Sequence, residues 1–137
     1  MDSERDFPLF LVIDDDVTIH GAMKKMLRNA GWEYVGATDG PQGIEMAYEM
    51  KPDVILLDVN MPQLDGRDVI VRMRQDPIFA KIPIVVVTGS TDPYCRESAL
   101  EAGAYDVVEK PFDVDHLTRR LGWLLEKIRR RELAPAV

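Results

Sequence analysis

The stretch that decides the fold is Phe10-Leu11-Val12-Ile13-Asp14-Asp15-Asp16, in which four apolar residues run directly into three aspartates. A short apolar run of this kind predicts a buried β-strand. Similar runs recur at residues 34–37, 54–57, 84–87 and 106–109. Stretches with a helical pattern separate these runs, and the alternation is typical of βαβ units around a parallel sheet. The sequence therefore predicts an α/β fold with five strands.

The predicted helices begin and end at residues suited to those positions. The first covers residues 17–30, where Asp16 can cap the start and Gly31 can take the left-handed conformation that follows a helix end. The same signals place a second helix opening at Asp39, a third over residues 67–75, a fourth from Asp92 to about Gly103, and a fifth capped by Asp113.

The length and composition predict one compact domain. A chain of 137 residues with 46% apolar residues can form one hydrophobic core but not two ordinary domains. We expect the domain to span residues 8–131, after an N-terminal tail of residues 1–7. Residues 132–137 are expected to be a C-terminal tail or the start of a linker.

The charge and the apolar pattern exclude several classes of function. The net charge of −7 argues against direct nucleic-acid binding, and no helix-turn-helix pattern is visible. No apolar stretch approaches about 20 residues, and the first six residues are charged rather than signal-like, so no membrane contact is expected. The single cysteine suits a reducing compartment. A cytoplasmic protein is therefore expected.

Polar side chains follow the predicted strands at the edge where a parallel sheet binds ligands. Strand one runs into Asp14-Asp15-Asp16, strand three into Asp58, strand four into Thr88 and strand five into Lys110. The carboxyl ends of parallel strands meet at one edge of a sheet, so these residues should converge. A single aspartate after a strand is usually a turn or a helix cap. The joint pattern favours a functional site.

The predicted cluster suits a metal ion and phosphoryl transfer. Several carboxylates in one cleft repel each other, and a cation relieves that repulsion. Oxygen ligands favour Mg²⁺ over zinc or copper. A carboxylate nucleophile surrounded by a cation, a hydroxyl and an ammonium group is what phosphoryl transfer requires. Asp58 is the candidate nucleophile.

Four segments together resemble the receiver domain of bacterial response regulators, of the chemotaxis-regulator type, over nearly the whole chain. Residues 10–16 resemble its first strand and acidic pair. Its phosphorylation loop is similar to Asp58-Val59-Asn60-Met61-Pro62-Gln63-Leu64-Asp65-Gly66. Its switch-threonine strand is similar to Val87-Thr88-Gly89, and its lysine turn is similar to Glu109-Lys110-Pro111-Phe112. The resemblance implies a flavodoxin-like doubly wound (βα)5 fold with strand order 2-1-3-4-5 and helices on both faces.

The resemblance also implies roles for the residues in these segments. Asp58 would accept a phosphoryl group from a sensor histidine kinase or phosphotransfer protein. Asp15, Asp58 and the backbone carbonyl of Asn60 would bind Mg²⁺, for which Mn²⁺ could substitute, and Asp14 would assist through water. Lys110 would pair with the phosphoryl oxygens and Thr88 would hydrogen-bond them. Asn60 and Ser90 would tune the lifetime of the phosphorylated state, and the switch region would comprise Thr88, Gly89, Val107 and Pro111.

The resemblance implies further expectations about conformation and partners. The Lys110–Pro111 bond would be cis, and Gly89 would leave room for the phosphoryl group. Many members of the family carry a switch tyrosine or phenylalanine where this chain has Val107, so switching would use the loop after Thr88 and the fourth helix. A downstream protein or fused output domain would contact the face formed by helix four, strand five and helix five, and a homodimer could form there. The domain would catalyse only its own phosphorylation and dephosphorylation.

Two alternatives belong to other functional classes. Asp14-Asp15-Asp16-Val17-Thr18 also fits the short DxDxT pattern of haloacid-dehalogenase-type phosphatases, with Asp14 as nucleophile and Asp16 as acid/base, although the chain has no cap insertion. A receiver-shaped binding module that takes no phosphate is the other alternative. The complete acidic set, Thr88 and Lys110 speak against it, but the departure at Val107 keeps it open.

Overall fold

The computed structural model describes residues 6–61, 66–90 and 92–130. Strands and helices alternate along this part of the chain, and their bounds are β1 Leu9–Ile13, α1 Val17–Asn29, β2 Glu33–Ala37, α2 Gly40–Met50, β3 Val54–Leu57, α3 Gly66–Arg74, β4 Ile84–Thr88, α4 Pro93–Ala102, β5 Asp106–Glu109 and α5 Val114–Arg129. The strands form one parallel sheet in the order β2-β1-β3-β4-β5. The predicted fold is confirmed.

The register of the sheet brings the ends of β1 and β3 together. Ile13, the last residue of β1, pairs with Ala37 on β2 and with Leu57 on β3. Asp14 and Asp58 therefore leave the sheet side by side. On the other side of β3, Thr88 at the end of β4 pairs with Glu109 on β5, the residue before Lys110. The strand ends define one edge, as predicted.

Two hydrophobic layers hold the sheet, one on each face. One layer packs Ile13, Leu57 and Val86 against α2, α3 and α4. The other packs Phe10 and Val12 against α1 and α5. Every residue of β1, β3 and β4 is buried, as expected for strands covered on both faces. Burial of one large apolar side chain contributes about 1.5–3 kcal/mol, so these layers are the main source of stability.

The helix caps appear where the sequence placed them. Asp16, Asp39, Asp92 and Asp113 each accept a hydrogen bond from a backbone N–H in the first turn of the following helix. Gly31 and Gly103 follow α1 and α4 with φ of 84° and 121°. Helices α1 and α3 each end one residue earlier than predicted, a difference typical of helix termini.

The predicted tails lie mainly outside the part of the chain that the structure describes. This applies to residues 1–5 and 132–137, so the predicted domain bounds at residues 8 and 131 stay a prediction. None of the described helices is both long enough and apolar enough to cross a membrane.

Candidate functional site

Three carboxylates gather at the carboxyl edge of the sheet. Each of Asp14, Asp15 and Asp58 offers an oxygen that lies within 4.8 Å of the others. Asp14 and Asp58 are only 2% and 7% exposed, whereas Asp15 is exposed. Backbone hydrogen bonds continue past the strand ends here, because the Asp14 N–H donates to the Ala37 carbonyl and the Asp58 N–H donates to the Ile13 carbonyl. The predicted convergence is thus found in the structure.

Lys110 reaches this cluster from the end of β5. Its Nζ lies 2.8 Å from Asp14 Oδ2 and 3.4 Å from Asp58 Oδ2. The Lys110 backbone N–H donates to the Thr88 carbonyl at 2.8 Å, which holds the lysine beside the end of β4. The Lys110–Pro111 peptide bond is cis, as the resemblance implied. Four predicted site residues therefore lie close together in the structure: Asp14, Asp15, Asp58 and Lys110.

Burial and charge act against each other in this cluster. Burial raises the pKa of Asp14, and the hydrogen bond from Lys110 offsets only part of that rise. Burial lowers the pKa of Lys110, but its hydrogen bond to Asp14 and the charges of Asp58 and Asp14 outweigh burial and raise that pKa. Lys110 therefore stays charged at neutral pH. Three carboxylates facing one ammonium group leave an excess of negative charge, which suits a divalent cation.

The side chains of Asn60 and Thr88 link the loop after β3, which carries Asp58, to the end of β4. The Thr88 side chain is 1% exposed, and its Oγ1 accepts hydrogen bonds from the Asn60 side-chain amide at 3.1 Å and from the Ser90 N–H at 3.3 Å. The Asn60 N–H in turn donates to Asp58 Oδ1 at 2.9 Å. A Cβ atom added to Gly89 would meet nothing within 4 Å, so the chain is open at that point. A change at Asp58 can therefore reach the loop after β4 through Asn60.

The region around Val107 is held by α4. Val107 is 4% exposed and belongs to the layer that includes α4. Its carbonyl accepts a hydrogen bond from Arg96 Nη1 at 2.9 Å. Tyr105 lies just before β5 rather than within it, because the strand begins at Asp106, and its ring is partly exposed. β5 therefore presents a small buried side chain at position 107.

The sequence did not reveal His20 as a neighbour of the site. In the structure its Nε2 lies 2.7 Å from the Asp14 carbonyl oxygen, and its Nδ1 lies 2.6 Å from the Tyr34 hydroxyl. The position of His20 in the first turn after the Asp16 cap was readable from the sequence, but its partners were not. Residues 62–65 of the predicted phosphorylation loop lie outside the described residues.

The profile of the response regulator receiver domain matches residues 10–122. The chain belongs to this family. The receiver domain shares 35% identity over 120 residues with the "DNA-binding dual master transcriptional regulator RpaA" of Synechocystis, covering 88% of this chain and 50% of that protein. It is also 36% identical over 127 residues to "Transcriptional regulatory protein PrrA" of Mycobacterium tuberculosis, covering 93% and 54% of the two chains. The chain spans about half the length of these relatives.

Solved receiver structures have the same fold. The chemotaxis protein CheY4 of Vibrio cholerae is 29% identical to this chain, with a TM-score of 0.80. The alignment covers 85% of this chain and 98% of that one. A putative response regulator from Chloroflexus aurantiacus is 32% identical, with a TM-score of 0.84 and coverages of 88% and 99%. A phosphorylation-activated switch is consistent with these likenesses, and they favour neither alternative. Receiver domains of response regulators are signalling domains that interact with histidine kinases.

Proposed function

We propose that this receiver domain takes a phosphoryl group onto Asp58 from a sensor histidine kinase or phosphotransfer protein, in a reaction that requires Mg²⁺. The observation that carries the proposal is the position of Asp58. Its carboxylate is buried at the carboxyl edge of the sheet, beside Asp14 and Asp15, with Lys110 Nζ 3.4 Å away. An acidic group in this setting combines a nucleophile with the positive charge that phosphoryl transfer needs.

The donor set fits a hard divalent cation. Carboxylate oxygens from three residues lie within 4.8 Å of one another and face a single described ammonium group. Asp15, Asp58 and the backbone carbonyl of Asn60 would hold Mg²⁺, with Asp14 acting through water, and Mn²⁺ would substitute. When bound, the ion supplies positive charge to the oxygens of the phosphoryl group.

The residues of the chain supply the remaining chemistry. A carboxylate oxygen of Asp58 attacks the phosphorus of a phosphohistidine, the new P–O bond forms, and the P–N bond breaks with its electron pair left on the imidazole. Lys110 already lies beside Asp58 and would pair with the phosphoryl oxygens as their charge spreads. Hydrolysis of the aspartyl phosphate resets the switch, and Asn60 and Ser90 would tune its rate. The domain acts only on itself and is not an enzyme for other substrates.

The readout begins at Thr88. To bond the phosphoryl oxygens, the Thr88 hydroxyl would leave its hydrogen bond with the Asn60 amide, and Gly89 beside it adds no side chain that would hinder this movement. The switch region of Thr88, Gly89, Val107 and Pro111 would then alter the face formed by α4, β5 and α5. Arg96, which links α4 to the Val107 carbonyl, is a direct contact through which this change can pass.

That altered face would control a downstream protein or a fused output domain, and a homodimer through it is part of the proposal. The relatives named as transcriptional regulators are about twice as long as this chain, so a fused output domain is one form the readout would take. We propose no direct nucleic-acid or membrane contact by the receiver domain itself, because its net charge is −7. A cytoplasmic location is also proposed, since Cys95 is a free thiol, as suits a reducing compartment.

The test is phosphorylation of the purified chain by acetyl phosphate, with and without Mg²⁺, followed by intact-mass measurement. The wild type should gain one phosphoryl group only with Mg²⁺, and Asp58→Asn should gain none. Asp39→Asn is the matched control, because Asp39 caps α2 and is not one of the three clustered carboxylates, and asparagine caps a helix equally well. A gain that survives Asp58→Asn but is lost in Asp14→Asn would point to the phosphatase chemistry. No gain in any variant would point to the phosphate-independent module.

A further inference from the structure

His20 joins the acidic loop to the edge of the sheet. It lies in the first turns of α1, and both of its ring nitrogens have partners. The Asp14 carbonyl can only accept a hydrogen bond, so Nε2 donates to it at 2.7 Å. In the neutral ring Nδ1 is then the acceptor, and the Tyr34 hydroxyl donates to it at 2.6 Å. The imidazole is therefore fixed in one tautomer between β2 and the site.

Gly36 provides the space for this pair. A Cβ atom at position 36 would lie 2.7 Å from His20 Nδ1 and would also overlap the Tyr34 hydroxyl. A larger residue there would displace the ring or the phenol. The two rings also make an edge contact, with centroids 6.0 Å apart and planes at 72°. The histidine, the tyrosine and the glycine thus form one packed unit.

The bond to the Asp14 carbonyl acts on the peptide between Asp14 and Asp15. Neighbouring parts of the loop have other supports, because the Asp14 N–H donates to the Ala37 carbonyl and Asp14 Oδ1 accepts from the Asp16 N–H at 2.9 Å. The carbonyl of this one peptide is held by His20. Rotation of the peptide would change the directions in which the Asp14 and Asp15 side chains leave the backbone.

We propose that His20 is a positioning residue for the acidic site: it holds the Asp14–Asp15 peptide in the orientation that presents both carboxylates to a divalent cation. This rests on the proposed function. His20 is neither a ligand nor a phosphate carrier in this scheme, because its two nitrogens are occupied by Asp14 and Tyr34. Outer partners of metal ligands typically change metal affinity by 10–100-fold when they are removed, and His20 stands in that relation to Asp14 and Asp15.

The test is the Mg²⁺ dissociation constant of the unphosphorylated chain, measured by titration calorimetry. His20→Ala should weaken Mg²⁺ binding about tenfold. His20→Gln should recover most of the affinity, since a glutamine amide N–H can replace the Nε2 donor to Asp14. Tyr34→Phe should give a smaller loss, because it frees the ring without removing it. The matched control is His116→Ala, because His116 is the other histidine of the chain and lies exposed on α5.

A second readout separates positioning from general stability. The rate of phosphorylation by acetyl phosphate should fall in His20→Ala at low Mg²⁺ and return to the wild-type rate at saturating Mg²⁺. Thermal unfolding in EDTA checks that each variant is folded, and if His20→Ala is not, the smaller loss expected in Tyr34→Phe carries the comparison. Wild-type Mg²⁺ affinity in Tyr34→Phe and in a folded His20→Ala would overturn the inference while leaving the proposed function intact. Failure of the wild type to bind Mg²⁺ would overturn both.

Discussion

At the scale of single residues, Asp14 is where stability and function conflict. Its carboxyl group is buried, and burial raises its pKa even though Lys110 hydrogen-bonds to it. A carboxyl group whose pKa is raised by folding favours the folded state only when it is protonated. Its contribution is present below the ordinary pKa of 3.8 and is lost as the pH rises through the folded-state pKa. At neutral pH the metal-free fold therefore carries a charge that destabilises it.

Asp14→Asn should accordingly stabilise the chain in EDTA at pH 7, by on the order of 1 kcal/mol. The advantage over the wild type should shrink as the pH falls toward 3.8, because the wild-type carboxyl group then becomes neutral too. Urea unfolding of both proteins at several pH values measures the difference. An asparagine variant that is less stable than the wild type at pH 7 would show that the ion pair with Lys110 outweighs the cost of burial.

At the scale of helices and strands, the start of α3 closes over the loop that carries Asp58. The Gly66 N–H donates to the Val59 carbonyl at 3.1 Å. A Cβ atom on Gly66 would lie 2.9 Å from the Asp58 carbonyl oxygen and would overlap the Val59 backbone. The backbone atoms of Asp58 and Val59 directly follow β3, so they cannot move aside as a flexible side chain can. The glycine thus allows α3 to begin directly against the loop that carries Asp58.

Gly66→Ala should therefore lower the free energy of unfolding by about 1–3 kcal/mol. Gly21→Ala is the matched control, because Gly21 lies within α1 and a Cβ atom there meets nothing within 4 Å. Since glycine inside a helix costs about 0.5–1 kcal/mol relative to alanine, this control should be more stable than the wild type. Chemical denaturation measures both changes. Similar effects of the two substitutions would refute the close approach of α3 to the loop.

The positions of the helices, the strands and most site residues could be predicted from the sequence. Strand ends and helix caps are local signals, so Asp16, Asp39, Asp92 and Asp113 marked the helices, and the polar residues after four of the five strands marked the site. Contacts between side chains of different helices and strands were not predictable. Arg74 is an example, because its guanidinium donates to the carbonyls of Gly103 and Phe79 and so joins the ends of α3 and α4.

His20 was missed for a related reason. Its contact with Tyr34 depends on two rotamers and on the space left by Gly36, and none of these follows from the spacing of residues along the chain. Val107 shows the reverse case, since its place on the fifth strand was predictable from its distance to Lys110. Its environment was not, because the contact from Arg96 comes from another helix.

At the scale of the whole molecule, cation binding and folding should be coupled. A ligand that binds only the folded chain adds RT ln(1 + [L]/Kd) to the free energy of unfolding, about 2.7 kcal/mol at a hundredfold excess over Kd. Mg²⁺ should thus raise the melting temperature of the wild type and of Asp39→Asn. In Asp15→Asn the rise should largely disappear, because one of the three clustered carboxylates is gone. Calorimetric scans in Mg²⁺ and in EDTA make the comparison, and an undiminished rise in Asp15→Asn would place the ion elsewhere.

The two tryptophans of this chain lie on the same side of the sheet. Trp32 stacks on Phe10 with ring centroids 5.0 Å apart, and Trp123 is 67% exposed on α5. Trp32 packs against the layer of α1 and α5, and Trp123 lies on the outer surface of the same side, whereas the sequences of α2, α3 and α4 contain no tryptophan. Intrinsic fluorescence will report the unfolding of one face of the sheet, while far-ultraviolet circular dichroism averages over both. Coincident transitions from the two signals would show that the faces melt as one cooperative unit. A fluorescence transition that comes later than the circular-dichroism transition would show that the α2–α4 face, which carries Val107 and α4, can loosen while the other stays packed.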